Sequence, residues 1–186
     1  MHYTRLFFTI ICIMLIAGAE LHSQDAENVE QVGRIYNQWD SACDVVVVGD
    51  LAYVGTGRSG LQIMNISDPE NPEIIGYWDD NPGSVRGITV SGDYAYVADY
   101  DCSLRIVDIT NPENPEEIGY YDTPGSAIGI TVSGDYAYVA DRGSGLRVVD
   151  ITDPENPEEV GYYDTPGYSV GVTVSGDYAY VADSES

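Results

Sequence analysis

Histidine, the side chain that many catalytic mechanisms use as a base, is nearly absent from this chain. The only two are His2 and His22, and both lie within the first 23 residues. A Ser–His–Asp or Cys–His arrangement needs a histidine as its base. We therefore predict no catalytic residues and expect that the protein is not an enzyme.

Carboxylates are abundant, which raises the question of a metal site. The segment DITDPENPEE contains Asp150, Asp153, Glu155, Glu158 and Glu159 within ten residues, and Ca²⁺ binds several such oxygens. The segment lacks the alternating Asp spacing and central Gly of a calcium loop, and Asp153 is a typical turn-forming residue. We predict no metal site and no cofactor, with calcium binding as the open alternative.

Two cysteines lie beyond the N-terminal segment, Cys43 and Cys102. Their spacing matches no metal-binding motif. In an exported protein they could form a disulfide, provided that their Cα atoms lie within about 7 Å of each other. A Cys43–Cys102 disulfide and two free thiols are therefore both open.

Charge restricts the partners that the protein can bind. The chain has 31 acidic residues and seven basic ones, all of them Arg, for a formal net charge of -24. Such a field repels phosphate backbones and anionic lipids. We therefore expect no nucleic-acid partner, and the simplest interpretation of the acidic surface is solubility.

The N-terminal residues are typical of an export signal. Arg5 precedes an apolar run at 6–16, and small residues follow at 17–19. The run is shorter than the roughly 20 apolar residues that a membrane span requires. We predict a signal peptide over 1–19, with cleavage after Ser23 as the alternative. The mature protein is then secreted, extracellular or attached to the cell surface, with a periplasmic location also open, and has no membrane span.

The chain beyond an acidic linker at 20–31 is built from repeats. The nine residues SGDYAYVAD occur three times, 42 positions apart. Units 92–133 and 134–175 differ at 11 of 42 positions, and a more diverged unit covers 49–91. A partial unit follows at 176–186. Such a period is the sequence signature of a repeat architecture.

Each unit contains four short β segments. In the unit that includes YAYVAD, LRVVDIT and EEVGYYD, these segments are separated by RGSG and DPENP, and Gly and Pro are turn residues. Four strands in about 42 residues predict an all-β fold, a β-propeller of four-stranded antiparallel blades. Gly87, Gly129 and Gly171 each open a strand run, where the missing Cβ suits close packing near a central axis.

Three longer segments carry a family resemblance. LRIVDITNPENPEEIGYYDTPG, LRVVDITDPENPEEVGYYDTPG and the looser LQIMNISDPENPEIIGYWDDNPG resemble the LVIVD repeat, a bacterial and archaeal propeller repeat of exported and surface proteins. The resemblance covers roughly 32–183. It implies a propeller with a cell-surface context, and it brings no shared catalytic motif.

The strand count predicts about three and a half blades within 32–186. A lone strand near 32–36 precedes full blades at 45–79, 87–122 and 129–164, and the last unit supplies two strands only. Closed propellers have about four to eight blades, so we expect an incomplete or open ring with an exposed backbone edge. The chain is then part of a longer propeller or, alternatively, self-associates through its open blade edges.

The copies differ mainly on one rim of the predicted propeller. With strands lettered A to D along each blade, this rim contains the D-to-A connections and the B-to-C turns, whereas the turns SGD and DPENP of the other rim are nearly unchanged. A binding face predicts such a concentration of differences, and so does drift in loops. Aromatic and charged side chains suit contacts with sugars or proteins. The candidate ligand-binding residues are Arg58, Trp78, Asp79, Arg86, Tyr100, Asp101, Arg142 and Tyr168.

These observations favour an exported, non-catalytic propeller module that acts in surface-associated binding or as a structural scaffold. The expected partner is a protein or carbohydrate at the cell surface. Two alternatives stay open: the propeller portion of an extracellular enzyme whose catalytic residues lie in further blades or domains, and a calcium-dependent adhesion module.

Overall fold

The computed structural model describes residues 41–79, 83–101 and 103–185, and these residues form fourteen β-strands. Blade 1 contains β1 (Asp44–Val48), β2 (Leu51–Gly55), β3 (Leu61–Asn65) and β4 (Glu73–Trp78). Blade 2 contains β5 (Val85–Ser91), β6 (Tyr94–Asp99), β7 (Ser103–Asp108) and β8 (Glu116–Tyr121). Blade 3 contains β9 (Gly129–Ser133), β10 (Tyr136–Ala140), β11 (Leu146–Asp150) and β12 (Glu158–Tyr163). A half-blade follows, made of β13 (Tyr168–Ser175) and β14 (Tyr178–Ser184).

Each blade is an antiparallel meander in which consecutive strands are neighbours. The predicted all-β fold of four-stranded blades, three and a half in number and open as a ring, is confirmed for the described residues. The predicted signal peptide, the linker and the lone strand near 32–36 lie outside them. No helix long and apolar enough to cross a membrane occurs in the described part of the chain.

The turns that recur in every copy follow from their residues. Gly92, Gly134 and Gly176 have φ between 57° and 59°, a conformation that glycine adopts without steric cost. In the C-to-D turn of blade 3, the Asp153 carboxylate accepts hydrogen bonds from the Glu155 N–H at 3.2 Å and from the Asn156 side-chain amide at 3.0 Å. Asp153 is therefore a turn-forming residue, as its sequence context predicts.

The hydrophobic core consists of layers between neighbouring blades. Alternate residues of one strand contribute to different layers: Ala95 packs in the layer between blades 1 and 2, and Tyr96 packs in the layer between blades 2 and 3. Trp78 is 9% exposed and belongs to the first of these layers. The side-chain alternation of β4 directs Trp78 into this core opposite Leu61, and its assignment to the ligand-binding rim stays a prediction.

The first strands of neighbouring blades approach each other closely, as their glycines predict. A Cβ atom on Gly87 would lie 2.6 Å from the carbonyl oxygen of Ile128, and one on Gly129 would lie 2.9 Å from the Cα of Gly171. Real Cβ atoms essentially never come this close to other heavy atoms. These glycines therefore allow β5, β9 and β13 to lie side by side.

The half-blade leaves one side of the molecule uncovered. Tyr96 of blade 2 is 4% exposed, whereas Tyr180, its counterpart in the half-blade, is 56% exposed. Likewise Tyr121 is half-buried against blade 3, whereas its counterpart Tyr163 is 65% exposed. The surface that covers Tyr96 and Tyr121 is the next blade, blade 3.

Candidate functional site

The rim that differs among the copies, here called the variable rim, consists of the B-to-C turns and the D-to-A connections. Backbone hydrogen bonds join these loops. Arg142 in the B-to-C turn of blade 3 and Ser169 in β13 exchange two bonds, of 3.1 and 2.9 Å. In blade 2 the Tyr100 N–H donates to the Ser84 carbonyl at 3.0 Å. The loops of the variable rim are therefore held together by main-chain contacts.

A repeated aspartate at the end of strand B fixes the loops that lead into strand A. The carboxylates of Asp99, Asp141 and Asp183 accept hydrogen bonds from backbone N–H groups 15 or 16 residues earlier in the chain. The donors are Ser84, Gly125 and Gly167, at 2.6, 2.7 and 3.0 Å. The sequence analysis did not single out these aspartates. The signal was their recurrence as the last residue of YVAD.

Burial raises the pKa of the Asp141 carboxyl above its ordinary value of 3.8. The Thr123 hydroxyl and the Gly125 N–H both donate to this carboxylate, and the Arg147 guanidinium lies 4.0 Å away. These contacts favour the charged form and oppose the effect of burial. The aspartate is thus a buried structural group that orients the rim loops.

Four of the predicted site residues lie in one row across the variable rim, and we call them the Arg–Tyr row: Arg86, Tyr100, Arg142 and Tyr168. The guanidinium carbons of Arg86 and Arg142 lie 5.5 and 5.6 Å from the ring centre of Tyr100. The Arg142 guanidinium also lies 5.0 Å from the ring centre of Tyr168 and donates a hydrogen bond to the Tyr100 hydroxyl. These distances are typical of cation–π contacts. The row therefore alternates cations and rings across three successive units.

Arg142 adopts an unusual backbone conformation in this row. Its φ is 46°, and Gly57, the residue at the same position of blade 1, has a φ of 60°. A residue with a Cβ atom in the left-handed region costs about 1–2 kcal/mol. Such strain is found at functional sites. A role for the Arg142 side chain would explain why blade 3 has arginine at a position where blade 1 has glycine.

The remaining arginines of the blades have a different environment. Arg105 forms an ion pair with Glu117 at 3.1 Å, and Arg147 lies within 4.0 Å of Asp141, Glu159 and Asp164. By contrast, Arg58, Arg86 and Arg142 form no ion pair with any described residue. The variable rim therefore presents guanidinium groups whose charge is not neutralised by a neighbouring carboxylate in the described part of the chain.

The other predicted residues lie apart from the row. Arg58, Asp79 and Asp101 are exposed, and Trp78 belongs to the core, as described above. Cys43 is half-buried, and its sulfur lies 3.9 Å from the Arg86 guanidinium. Because Cys102 lies outside the described residues, the Cys43–Cys102 disulfide stays a prediction.

No group of three or more His, Cys, Asp or Glu side chains in the described ranges is placed to hold a metal ion. In the C-to-D turn, the oxygens of Asp153 that suggested calcium are used as acceptors within the turn. Calcium binding stays an open alternative of the sequence analysis.

Two solved structures share the fold of this chain. The crystal structure of the computationally designed Ika4 protein matches with a TM-score of 0.69 at 7% identity, over 83% of this chain and 92% of that one. The computationally designed Ika8 protein matches with a TM-score of 0.61 at 8% identity, over 75% of this chain and 42% of that one. At these identities the likeness shows the fold alone.

No curated protein matches the sequence. The family model described as the LVIVD repeat matches four successive segments, 40–80, 82–123, 124–165 and 166–186. These segments coincide with the three blades and the half-blade. The units delimited from the sequence, 49–91, 92–133 and 134–175, each begin in the turn between strands A and B and are therefore shifted by one strand relative to the blades. The matched segments cover most of the chain, and the chain therefore belongs to the LVIVD repeat family.

Proposed function

We propose that this protein is an exported, non-catalytic LVIVD-repeat propeller module that binds a cell-surface partner through its variable rim. The observation that carries the proposal is the Arg–Tyr row. Its four side chains contact one another, yet each occupies a position at which the sister copies have a different residue.

The comparison among copies separates architecture from function. Arg105 and Arg147 are equivalent positions, and each lies over a tyrosine of the neighbouring strand, Tyr120 at 5.0 Å and Tyr162 at 4.8 Å. These pairs recur in blades 2 and 3, whereas blade 1 has Gln62 opposite Tyr77, and a contact that recurs at equivalent positions is explained by the architecture of the blades. The Arg–Tyr row has no such counterpart. Ile128 and Val170 stand where blade 2 has Arg86, and Ser126 stands where the half-blade has Tyr168.

Neither repetition nor composition favours catalysis. The histidines are confined to the first 23 residues, and the buried carboxylate Asp141 has counterparts in blade 2 and the half-blade. A catalytic carboxylate pair needs environments that separate the two pKa values. Residues that recur in several blades to fasten loops are better explained as structural groups.

Export is proposed from the N-terminal pattern of Arg5 and the apolar run at 6–16. N-terminal sequencing of the protein recovered from outside the cytoplasm tests this part. We expect a mature chain that starts after residue 19 or after Ser23. A protein that keeps Met1 and stays in the cytoplasm would contradict export.

Binding is tested with a variant that replaces row residues by those of the sister copies. In Arg86→Ile/Tyr168→Ser, each new residue already stands at the equivalent position of blade 3, so the fold is expected to be stable. Wild type and variant are compared on panels of surface glycans and surface proteins. The matched control is Tyr120→Ala. Tyr120 is also an exposed tyrosine with an arginine over its ring, but it lies on β8 and not on the variable rim. We expect loss of binding in the double variant alone. A wild type that binds nothing on either panel, or binding that survives the double variant, would contradict the proposal.

A second candidate function is assembly through the open half-blade. A Cβ on Gly161 would meet nothing within 4 Å, and Tyr163, Tyr178 and Tyr180 are between 56% and 69% exposed. Pairing of β14 with β14 of a second copy would form one four-stranded sheet with twofold symmetry. Sedimentation velocity tests this candidate. We expect concentration-dependent dimers that Tyr180→Glu abolishes and Tyr120→Glu does not, and a wild type that stays monomeric would exclude it.

A further inference from the structure

We infer that the ligand of the Arg–Tyr row is a carboxylated saccharide, an oligosaccharide that contains hexuronate residues. This inference rests on the proposed binding function of the variable rim and adds the chemical class of the ligand. It follows from three properties of the row: cations without ion-pair partners, an exposed tyrosine ring beside them and backbone groups that are already paired.

The first property points to an anion. Arg86 and Arg142 lie on the same tyrosine ring and have no carboxylate partner among the described residues. Two neighbouring guanidinium groups repel each other, and an anion bound between them relieves this repulsion. The planar guanidinium matches the two oxygens of a carboxylate with parallel hydrogen bonds. A carboxylate is therefore the group that these side chains complement.

The net charge of -24 opposes anion binding, but only weakly at this site. At physiological ionic strength, charges separated by more than about 8 Å are largely screened. Asp99, Asp101 and Asp141 lie on this rim next to Tyr100 and Arg142, but the carboxylates of Asp99 and Asp141 already accept backbone hydrogen bonds. The Arg86 and Arg142 guanidinium groups form no ion pair with a described residue. The guanidinium pair therefore supplies the local positive charge for an anion, against the repulsion of the neighbouring aspartates.

The second property points to a sugar ring next to the carboxylate. Tyr168 is 40% exposed and offers ring surface to a ligand, whereas Tyr100 is half-buried, has both arginines over its ring and holds them in place. The face of an aromatic ring carries negative charge density, which attracts the C–H groups on one side of a pyranose. A chain of hexuronates alternates such C–H faces with carboxylates. The row alternates rings with guanidinium groups in the same way.

The third property disfavours an acidic peptide, which would also carry carboxylates. Extended peptides bind by adding main-chain hydrogen bonds to a free sheet edge, or by apolar anchors. On this rim the Arg142 and Ser169 main-chain groups are bonded to each other, and the side chains of the row are polar or aromatic. Recognition here depends on side chains, which suits a saccharide better than a peptide.

Isothermal titration calorimetry of the full chain tests the inference with three probes. The probes are an oligogalacturonate, its fully methyl-esterified form and poly-L-glutamate. The first has rings and charge, the second has the same rings without charge, and the third has charge without rings. The protein variants are wild type, Arg142→Gln, Tyr100→Ala and the control Tyr120→Ala, with thermal unfolding as the check that each variant folds.

We expect that oligogalacturonate binds and that its affinity falls about tenfold or more in Arg142→Gln, since a lost charge-assisted hydrogen bond has that effect. Tyr100→Ala is expected to weaken binding similarly, and Tyr120→Ala to leave it unchanged. The methyl ester and poly-L-glutamate are expected to bind at least about tenfold more weakly, and added salt to weaken the acidic probe.

The outcomes separate this inference from the proposed function. In one outcome the row variants abolish binding, but the methyl ester binds as tightly as the acid or poly-L-glutamate binds as tightly as the saccharide. The rim is then the binding site, and the proposed ligand class is wrong. If none of the three probes binds to wild type, the ligand class is equally wrong, while the panel experiment still judges the rim. If the acid binds and neither row variant weakens it, the site itself lies elsewhere and the proposed function fails with the inference.

Discussion

The carbonyl oxygen of Pro154 lies 2.1 Å from the position that a Cβ atom on Gly119 would occupy. The DPENP turn of blade 3 thus fits against strand β8 of blade 2 only because residue 119 has no side chain. The same relation joins Pro112 of blade 2 to Gly76 of blade 1, at 2.0 Å. At Gly161 of blade 3 nothing lies within 4 Å, since the half-blade brings no DPENP turn.

This difference predicts unequal effects of the same substitution at two equivalent positions. Gly119→Ala forces a methyl group against a backbone carbonyl and is expected to lower the free energy of unfolding by about 2 kcal/mol or more. Gly161→Ala is expected to change it by less than about 0.5 kcal/mol. Urea unfolding of both variants checks the prediction. Equal losses at the two positions would mean that Gly161 is covered as Gly119 is, which the open half-blade does not allow.

A second prediction concerns Ser103, a serine in a glycine conformation. Its φ is 85°, and the equivalent residues Gly60 and Gly145 have φ of 73° and 75°. Ser103→Gly removes this strain and is expected to raise the free energy of unfolding by roughly 0.5–1 kcal/mol, the left-handed cost being partly offset by glycine's entropy. The reciprocal variant Gly145→Ser places its Cβ 2.2 Å from the Tyr163 carbonyl oxygen and is expected to destabilise the fold. Thermal unfolding measures both, and a destabilised Ser103→Gly would refute the strain.

A third prediction is that two aspartates contribute to stability with opposite dependence on pH. Burial raises the pKa of Asp141, so its contribution is fully present below about 3.8 and is lost as the pH rises through the higher folded pKa. Hydrogen bonds from the Thr152 N–H and hydroxyl lower the pKa of Asp150, so its contribution is present above about 3.8 and is lost on acidification.

Urea unfolding between strongly and weakly acidic pH measures these contributions as differences between wild type and each asparagine variant. The free energy of unfolding of wild type minus that of the variant is expected to fall with rising pH for Asp141→Asn and to rise with pH for Asp150→Asn. Asp108→Asn is the matched control for Asp150→Asn. Hydrogen bonds from Thr110 lower the pKa of Asp108 in the same way, so its free-energy difference is also expected to rise with pH. A difference that rises with pH for Asp141→Asn would show that its hydrogen bonds outweigh burial.

Much of the fold follows from the repeats. The alternation of YAYVAD places Ala95 and Tyr96 in different core layers, and the glycines that open strand A predict the close approach of Gly129 to Gly171. The burial of Trp78 was not predictable, because its position in the chain, next to the D-to-A connection, does not reveal which side of β4 its ring occupies.

The residues of the Arg–Tyr row were also predictable, because they differ among otherwise similar copies. Their mutual contacts were not, since these depend on how the loops of three units converge at the rim. The positive φ of Arg142 has no sequence signal other than the glycine at position 57 of the first copy. The carboxylate contacts of Asp99 and Asp141 were missed because recurrence as the last residue of YVAD marks the position but does not reveal the backbone donor 15 or 16 residues earlier.

The most direct test of the account is whether a ligand covers the Arg–Tyr row. Hydroxyl-radical footprinting of the full chain, with and without a mixture of acidic and neutral bacterial-envelope polysaccharides, compares tyrosines within one molecule. We expect protection of Tyr100 and Tyr168, and unchanged oxidation of Tyr120 and Tyr162, which are also stacked by arginines but lie on outer strands. Protection of Tyr120 and Tyr162 without protection of Tyr100 and Tyr168, or no protection at all, would contradict the account.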